Sequence, residues 1–270
     1  MTRLHFISGL PRSGSTLLAA ILRQNPRVSA GMSGPVFGIF LAVQKAMSLS
    51  HNSFALHIKD DQRMAVLKSV VEAFYATCAK EVVFDTNRGW CGALPILTEI
   101  FPEARIICCV RNPAWILDSF ERLVQRNSLR QSRIFPPDSD IEFSSVFNRV
   151  DALMKQQVGG CLNSLRQAWF GDQADRLIAV RYESLSERPG EVIHRLYDLL
   201  GEEPFHHDFE NVNYQEPEFD DLLETPGLHD VRTRVTATTR ETILPPEIFT
   251  QYDRSWWDMP GQNPRAVIVL

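Results

Sequence analysis

The run LHFISGLPRSGSTLLAAIL over positions 4–22 constrains the fold of this chain more than any other stretch. Residues 4–7 are apolar, residues 9–14 hold two glycines and a proline, and Leu17, Leu18, Ile21 and Leu22 then fall at helical spacing. The order is strand, tight loop, helix. Such a turn aims a helix N-terminus and several free backbone N–H groups at one point. Partial positive charge collects there, so the point suits an anion.

The spacing invites comparison with the phosphate-binding loop G-x-x-x-x-G-K-[ST] of nucleoside triphosphatases. Here Gly9-Leu10-Pro11-Arg12-Ser13-Gly14-Ser15-Thr16 keeps both glycines and the closing Thr16, but Ser15 stands in the lysine position. The cation lies inside the loop instead, at Arg12. A triphosphatase needs that lysine against the β- and γ-phosphates, together with magnesium. The loop therefore argues against transfer from ATP. Arg12 offers a forked set of donors to a phosphate or sulfuryl oxygen. Thr16 can cap the helix as well as bind a ligand.

Downstream, strand and helix patterns alternate. Residues 81–85 (EVVFD), 105–110 (RIICCV) and 176–182 (RLIAVRY) read as three further strands, the middle one near-continuously apolar. A helix is expected over 61–79, with Met64, Leu67, Val71 and Phe74 on one face. Others are expected over 92–101, from Pro113 onward, and from about 141 or 146 to 170 with a loosening at Gly159-Gly160. Two more run from 184 to a stop at Gly201, and from Pro245 to near Trp256-Trp257. Residues 28–50 read as a glycine-rich loop, on the substrate side or a plain surface connection, leading into a helical run over 36–47. Segment 128–145 is polar, carries Pro136-Pro137 and reads as a mobile excursion; 202–228 is acidic and aromatic without a clear period. The alternation predicts an α/β fold, a P-loop-like three-layer arrangement with a central parallel sheet and helices on both faces. No internal repeat or second domain is visible, so one domain is expected over 1–270. Ligands in such sheets sit beyond the carboxyl ends of the strands. Arg12, Arg88, Arg111 and Tyr182 mark those four ends.

The segment Pro11-Arg12-Ser13-Gly14-Ser15-Thr16 at the end of a first strand resembles the 5′-phosphosulfate loop of sulfotransferases that use 3′-phosphoadenosine 5′-phosphosulfate (PAPS). Its form is closest to that of the protein-tyrosine sulfotransferases. The resemblance implies that Arg12, the N–H groups of Ser13, Gly14, Ser15 and Thr16, and the Ser15 and Thr16 hydroxyls hold the phosphosulfate. Arg111 with Ser119 resembles the pair that binds the 3′-phosphate, a group ATP lacks. The segment VRYESL resembles one whose tyrosine, here Tyr182, contacts the nucleotide. Asn87-Arg88 stands where the family has Asn-Lys, whose lysine stabilises the transferring sulfuryl group. Arginine keeps the charge and changes the geometry, and an ion pair with Asp85 is the other reading. Arg240 stands where a lysine binds the 3′-phosphate, with Arg232 and Arg234 as alternates. Trp90 suits either adenine stacking or the core.

The resemblance implies an in-line, metal-free transfer of a sulfuryl group from PAPS to a hydroxyl or amine, leaving adenosine 3′,5′-bisphosphate. A P-loop kinase using ATP and magnesium, or a non-catalytic nucleotide-binding relative, are the other readings. One departure concerns the general base that takes the acceptor proton. Protein-tyrosine sulfotransferases use a glutamate downstream of the loop arginine, and residues 30–35, AGMSGP, hold no carboxylate. Among seven histidines, His229 directly precedes the basic segment expected to close over the nucleotide and is the candidate base, with His57 and Asp85 next.

Bulk properties limit the rest. A chain of 270 residues buries about 75% of its unfolded surface and needs no staple. The net charge of −5 disfavours nucleic-acid binding. No apolar run reaches the ~18 residues of a membrane span, and the loop begins by Gly9, too soon for a signal peptide. Five cysteines lack C-x-x-C spacing, and two are adjacent inside an apolar strand. They read as buried thiols in a reducing cytoplasm, not as a metal site. The expected acceptor is a small molecule or peptide, its pocket lined by segments 28–57, 128–145 and 202–228. The sequence leaves its identity and the oligomeric state open.

Overall fold

Nothing in a computed structural model of the chain is described outside residues 2–135, 141, 144–259, 261 and 267–270. Along it run β1 (Arg3–Gly9), α1 (Ser15–Leu22), β2 (Val28–Ala30), α2 (Val36–Ala46), α3 (Asp60–Phe74), β3 (Val82–Thr86) and α4 (Leu94–Ile100). Then come β4 (Ile106–Val110), α5 (Pro113–Arg126), α6 (Val146–Lys155), α7 (Gln157–Phe170), β5 (Leu177–Arg181) and α8 (Tyr182–Glu187). The chain ends with α9 (Pro189–Leu200), α10 (Pro217–Leu222), α11 (Pro246–Tyr252) and β6 (Ile268–Val269). The strands form one sheet in the order β2-β3-β1-β4-β5-β6, and every pairing is parallel. Helices cover both faces, as the alternation of patterns predicts.

Two cores follow from the pleat. Side chains alternate across a strand, so Phe6, Ile106, Cys108, Val110, Leu177 and Ala179 pack on one face with α2, α4, α5 and α7. Ile7, Phe84, Ile107, Cys109, Ile178 and Val180 pack on the other with α1 and α9. This is why the adjacent Cys108 and Cys109, both fully buried, lie in different cores. Burying each large apolar side chain of this kind contributes about 1.5–3 kcal/mol. Trp90 belongs to the first core: it is fully buried between Phe6, Phe37 and Phe40 and donates through Nε1 to Asp85 at 2.6 Å. That leaves no face for adenine.

β1 lies between β3 and β4, where the strand order changes direction. Phe6 stands level with Asp85 on one side and Ile106 on the other, and Gly9 is level with Cys109. The turn after β1 begins at Gly9, whose φ of +104° and tight quarters both require glycine. A Cβ there would sit 2.2 Å from the Cys109 carbonyl oxygen. Absence of the side chain lets Leu10 N–H reach that oxygen at 2.8 Å.

Several sequence expectations change. β2 and β6, of three and two residues, are too short to show a period and were not expected as strands. The helix expected over 61–79 ends at Phe74, and only Leu67 and Val71 of its four apolar residues are buried; Met64 and Phe74 are 37% and 44% exposed. The long helix up to 170 breaks at Gln156, with φ −120° and ψ −92°, and not at the glycines. Gly159 accommodates that break, because a Cβ on it would lie 1.8 Å from the Met154 carbonyl oxygen. Of segment 128–145, residues 136–140 and 142–143, including Pro136, Pro137 and Asp138, lie outside the described residues. Gly9→Ala combines left-handed strain with a backbone clash, and should lower unfolding free energy by roughly 2–6 kcal/mol in urea titrations.

Candidate active site

The loop after β1 folds around one carbonyl. Ser13 Oγ donates to the Cys109 oxygen at 2.8 Å and also to Leu10 O, beneath the loop and almost fully buried. Ser13 therefore does not line the cavity, and its backbone N–H is all it can offer a ligand. Arg12 adopts a positive φ of 55°, and Gly14, with φ 92°, caps α1. A Cβ on Gly14 would meet Tyr182 Cδ2 at 2.9 Å, so a glycine lets α8 approach the loop. Among the described residues, none accepts a hydrogen bond from the backbone N–H of residues 13–16. These donors, Ser15 and Thr16 open into a cavity of about 470 Å³.

The other strand ends line the same cavity: Arg88 after β3, Arg111 after β4 and Tyr182 after β5. Ser8 positions Arg88, because its hydroxyl donates to the Arg88 carbonyl at 2.9 Å and accepts from Cys91 N–H at 3.1 Å. The ion pair with Asp85 does not form: Asp85 accepts from Trp90 and from the Tyr75 hydroxyl. Arg111 lies over the Tyr182 ring, 4.1 Å from its centroid, and donates to the Arg12 carbonyl at 3.3 Å. Glu183 approaches Arg111 Nε only to 4.0 Å. The buried Nε atoms of Arg88 and Arg111 have no hydrogen-bond acceptor.

Ser119, expected beside Arg111, meets Arg12: Arg12 Nε donates to its Oγ at 3.1 Å. Arg12 Nη1 donates to the carbonyl of Leu228. All three guanidinium groups are pulled below the usual arginine range, first by burial. Arg12 falls to about 10, and the Arg88 and Arg111 charges add to the effect of burial. Crowded, desolvated cations of this kind bind anions well, because an anion offsets both costs.

Two residues of the C-terminal part enter the site through carboxylates that sequence reading missed. Arg240 lines the cavity, lies over the Trp115 ring and pairs with Asp118 at 2.5 Å. Asp118, fully buried on α5, also meets Arg122 Nε at 3.0 Å and Ile243 N–H at 2.9 Å, and accepts from the Thr242 hydroxyl at 3.2 Å. It ties residues 240–243 to the helix that carries Ser119. The only local signal was the Asp118–Arg122 spacing on one helix face. Of the alternates, Arg232 and Arg234 also line the cavity, with Arg232 donating to Thr238 and Arg234 paired with Glu210. His229 lines the cavity as well, and it is held by Asp220 on α10. His57 is exposed on a 3₁₀ turn and Asp85 is buried under Tyr75 and Trp90, and neither lines the cavity.

Comparison with known proteins identifies the family of the chain. Nodulation protein NoeE of Sinorhizobium fredii (strain NBRC 101917 / NGR234) is 26% identical over 213 residues, covering 74% of this chain and 50% of that protein. A Caenorhabditis briggsae protein named "Putative protein-tyrosine sulfotransferase" is 24% identical over 206 residues, covering 73% of this chain and 65% of its own length. The chain thus spans between half and two-thirds of the curated relatives it matches. Among solved structures, the sulfotransferase domain from the curacin biosynthetic pathway superposes with a TM-score of 0.50 over 76% of each chain at 18% identity, a likeness of fold. Residues 5–207, from within β1 to just past α9, match the model of the sulfotransferase family. The chain belongs to the sulfotransferase family.

Proposed function

We propose that this protein transfers a sulfuryl group from PAPS to a hydroxyl or amine of a small-molecule or peptide acceptor. The observation that carries the reading is the convergence of Arg12, Arg88 and Arg111 on one cavity, with two buried guanidinium nitrogens left without acceptors. That donor set fits a phosphosulfate. The loop N–H groups, Ser15, Thr16 and Arg12 hold the 5′ end. Arg111, Ser119 and Arg240 take the 3′-phosphate, and Tyr182 flanks the nucleotide. Free cysteines, three of them buried in the cores, support a reducing, cytoplasmic setting.

PAPS supplies a sulfuryl group joined to phosphate through one bridging oxygen. In the transfer, the acceptor oxygen or nitrogen bonds to sulfur while that bridging bond breaks, and its electron pair leaves on the phosphate. Arg12 and Arg88 offset the charge that develops on the phosphate and the sulfuryl oxygens. The acceptor proton passes to His229 Nε2. No protein–substrate bond forms, so the residues contribute orientation, charge and a proton site.

Removal of one charge-stabilising donor typically costs about 10²–10³ in turnover. Arg12→Ala should accordingly lose transfer of ³⁵S from labelled PAPS into a mixed acceptor pool, and full activity in that variant would reject the assignment. Adenosine 3′,5′-bisphosphate at about a hundred times its dissociation constant should raise the melting temperature by about 5–10 °C without magnesium. Stabilisation by ATP–magnesium alone would favour a kinase. Asp118→Asn removes the charge that orients Arg240. It should raise the KM for PAPS roughly tenfold, the equivalent of one hydrogen bond to a charged group, and leave kcat nearly unchanged. A fall in kcat at constant KM would contradict that placement of Arg240.

A further inference from the structure

We propose that Asp220 is the positioning residue for His229: it fixes the imidazole in the tautomer whose bare Nε2 faces the cavity. The proposal rests on the reading of His229 as the general base.

Asp220 lies on α10 with 2% of its surface exposed. Both of its carboxylate oxygens serve residue 229. Oδ2 accepts the backbone N–H of His229 at 2.9 Å, and Oδ1 lies 2.5 Å from Nδ1. A carboxylate only accepts, so Nδ1 must carry the proton. The neutral ring then keeps its lone pair on Nε2, which forms no hydrogen bond among the described residues. The Phe219 ring stands edge-on to the imidazole at 5.5 Å and limits its rotation.

The platform beneath the pair is fixed. Thr225 N–H donates to the Asp220 carbonyl at 2.9 Å, and the Thr225 and Ser132 hydroxyls are bonded to each other. Arg133 N–H donates to Leu223 O at 3.0 Å, linking the end of α10 to the segment after α5. On the other side, Leu228, immediately before His229, accepts from Arg12. The imidazole is thus tied to Asp220 directly, and to the phosphosulfate loop through its chain neighbour. When Nε2 takes the acceptor proton, the ring becomes a cation, and the adjacent carboxylate stabilises it.

The geometry makes one substitution diagnostic. In Asp220→Asn the backbone N–H of His229 still requires an oxygen, so the amide must turn its NH₂ toward Nδ1. That NH₂ donates, which moves the imidazole proton to Nε2 and blocks the base. Hydrolysis of ³⁵S-labelled PAPS to inorganic sulfate, with water as acceptor, should then fall by about 10²–10⁴ in kcat. Calorimetric affinity for adenosine 3′,5′-bisphosphate should stay unchanged. Nitrogen-15 NMR of the neutral imidazole should place the proton on Nδ1 in the wild type and on Nε2 in the variant. A wild-type proton on Nε2 overturns the proposal, as does normal turnover by Asp220→Asn. If His229→Gln is inactive while Asp220→Asn is active, this inference fails and the base reading survives. If His229→Gln turns over normally, the base reading fails and takes the inference with it. Should the Asn variant not fold, the wild-type tautomer alone decides.

Discussion

The Cys109 carbonyl is the point on which the site is built. It is the backbone oxygen of a central strand, and three features of the loop after β1 converge on it. Gly9 lacks the side chain that would strike it, Leu10 N–H donates to it, and Ser13 Oγ donates to it. These contacts turn the chain sharply enough for Arg12 to adopt its left-handed conformation and reach Ser119 on α5. A longer or looser turn would leave the start of α1 aimed elsewhere. Buried backbone oxygens must be satisfied, and here satisfying one of them also shapes the anion cradle.

Such a cradle is electrostatically costly in the free protein. Arg12, Arg88 and Arg111 lose hydration together, and the charges on Arg88 and Arg111 both weigh on Arg12. The chain as a whole is acidic, at −5, so this cationic concentration is local and owes nothing to bulk composition. Three strand ends supply it, and the sheet holds them in place. Donors fixed in advance need little reorganisation when an anion arrives or when charge shifts during a reaction. The sheet thus acts as the rigid element and the strand ends as its chemistry.

The parts legible in sequence were those whose signal is local and long enough to count. β1 and its loop could be read because apolar run, glycines and helical spacing follow one another within a few residues. The strand ends at Arg88, Arg111 and Tyr182 could be read because β3, β4 and β5 are buried on both faces, so that β4 and β5 are nearly all apolar and β3 opens on the apolar run Val82-Val83-Phe84. Neither β2 nor β6 has enough residues to carry a period. The break at Gln156 carries no proline or glycine of its own to announce it, and Gly159 marks only where room was made for it. Asp118 was missed because its partners on residues 240–243 are remote in sequence. Asp220 lay within nine residues of His229, in a segment without hydrophobic period. Pro217 followed by Glu218 and Asp220 is nevertheless a helix-start pattern, and that signal could have found α10.

The kind of acceptor each arginine has been given matters more than the number of arginines. Arg12 donates to a serine hydroxyl and a backbone carbonyl, and Arg111 to a backbone carbonyl. These partners are neutral. They hold the guanidinium groups in place without cancelling their charge, and a stronger acceptor can displace them. Glu183 comes no nearer to Arg111 Nε than 4.0 Å, and two buried carboxylates beside the cavity, Asp118 and Asp220, are engaged elsewhere. Asp118 is turned to Arg122, Arg240 and the 242–243 backbone and side chain, away from the loop. Asp220 stands close enough to Arg12 for its charge to be felt there, yet both its oxygens are bound to His229. Had either carboxylate paired with Arg12, the ion pair would compete with any incoming anion. Binding would then have to break a desolvated salt bridge, at several kcal/mol. Orientation by neutral groups, with the acids occupied elsewhere, is what lets a crowded cluster of cations remain both ordered and available.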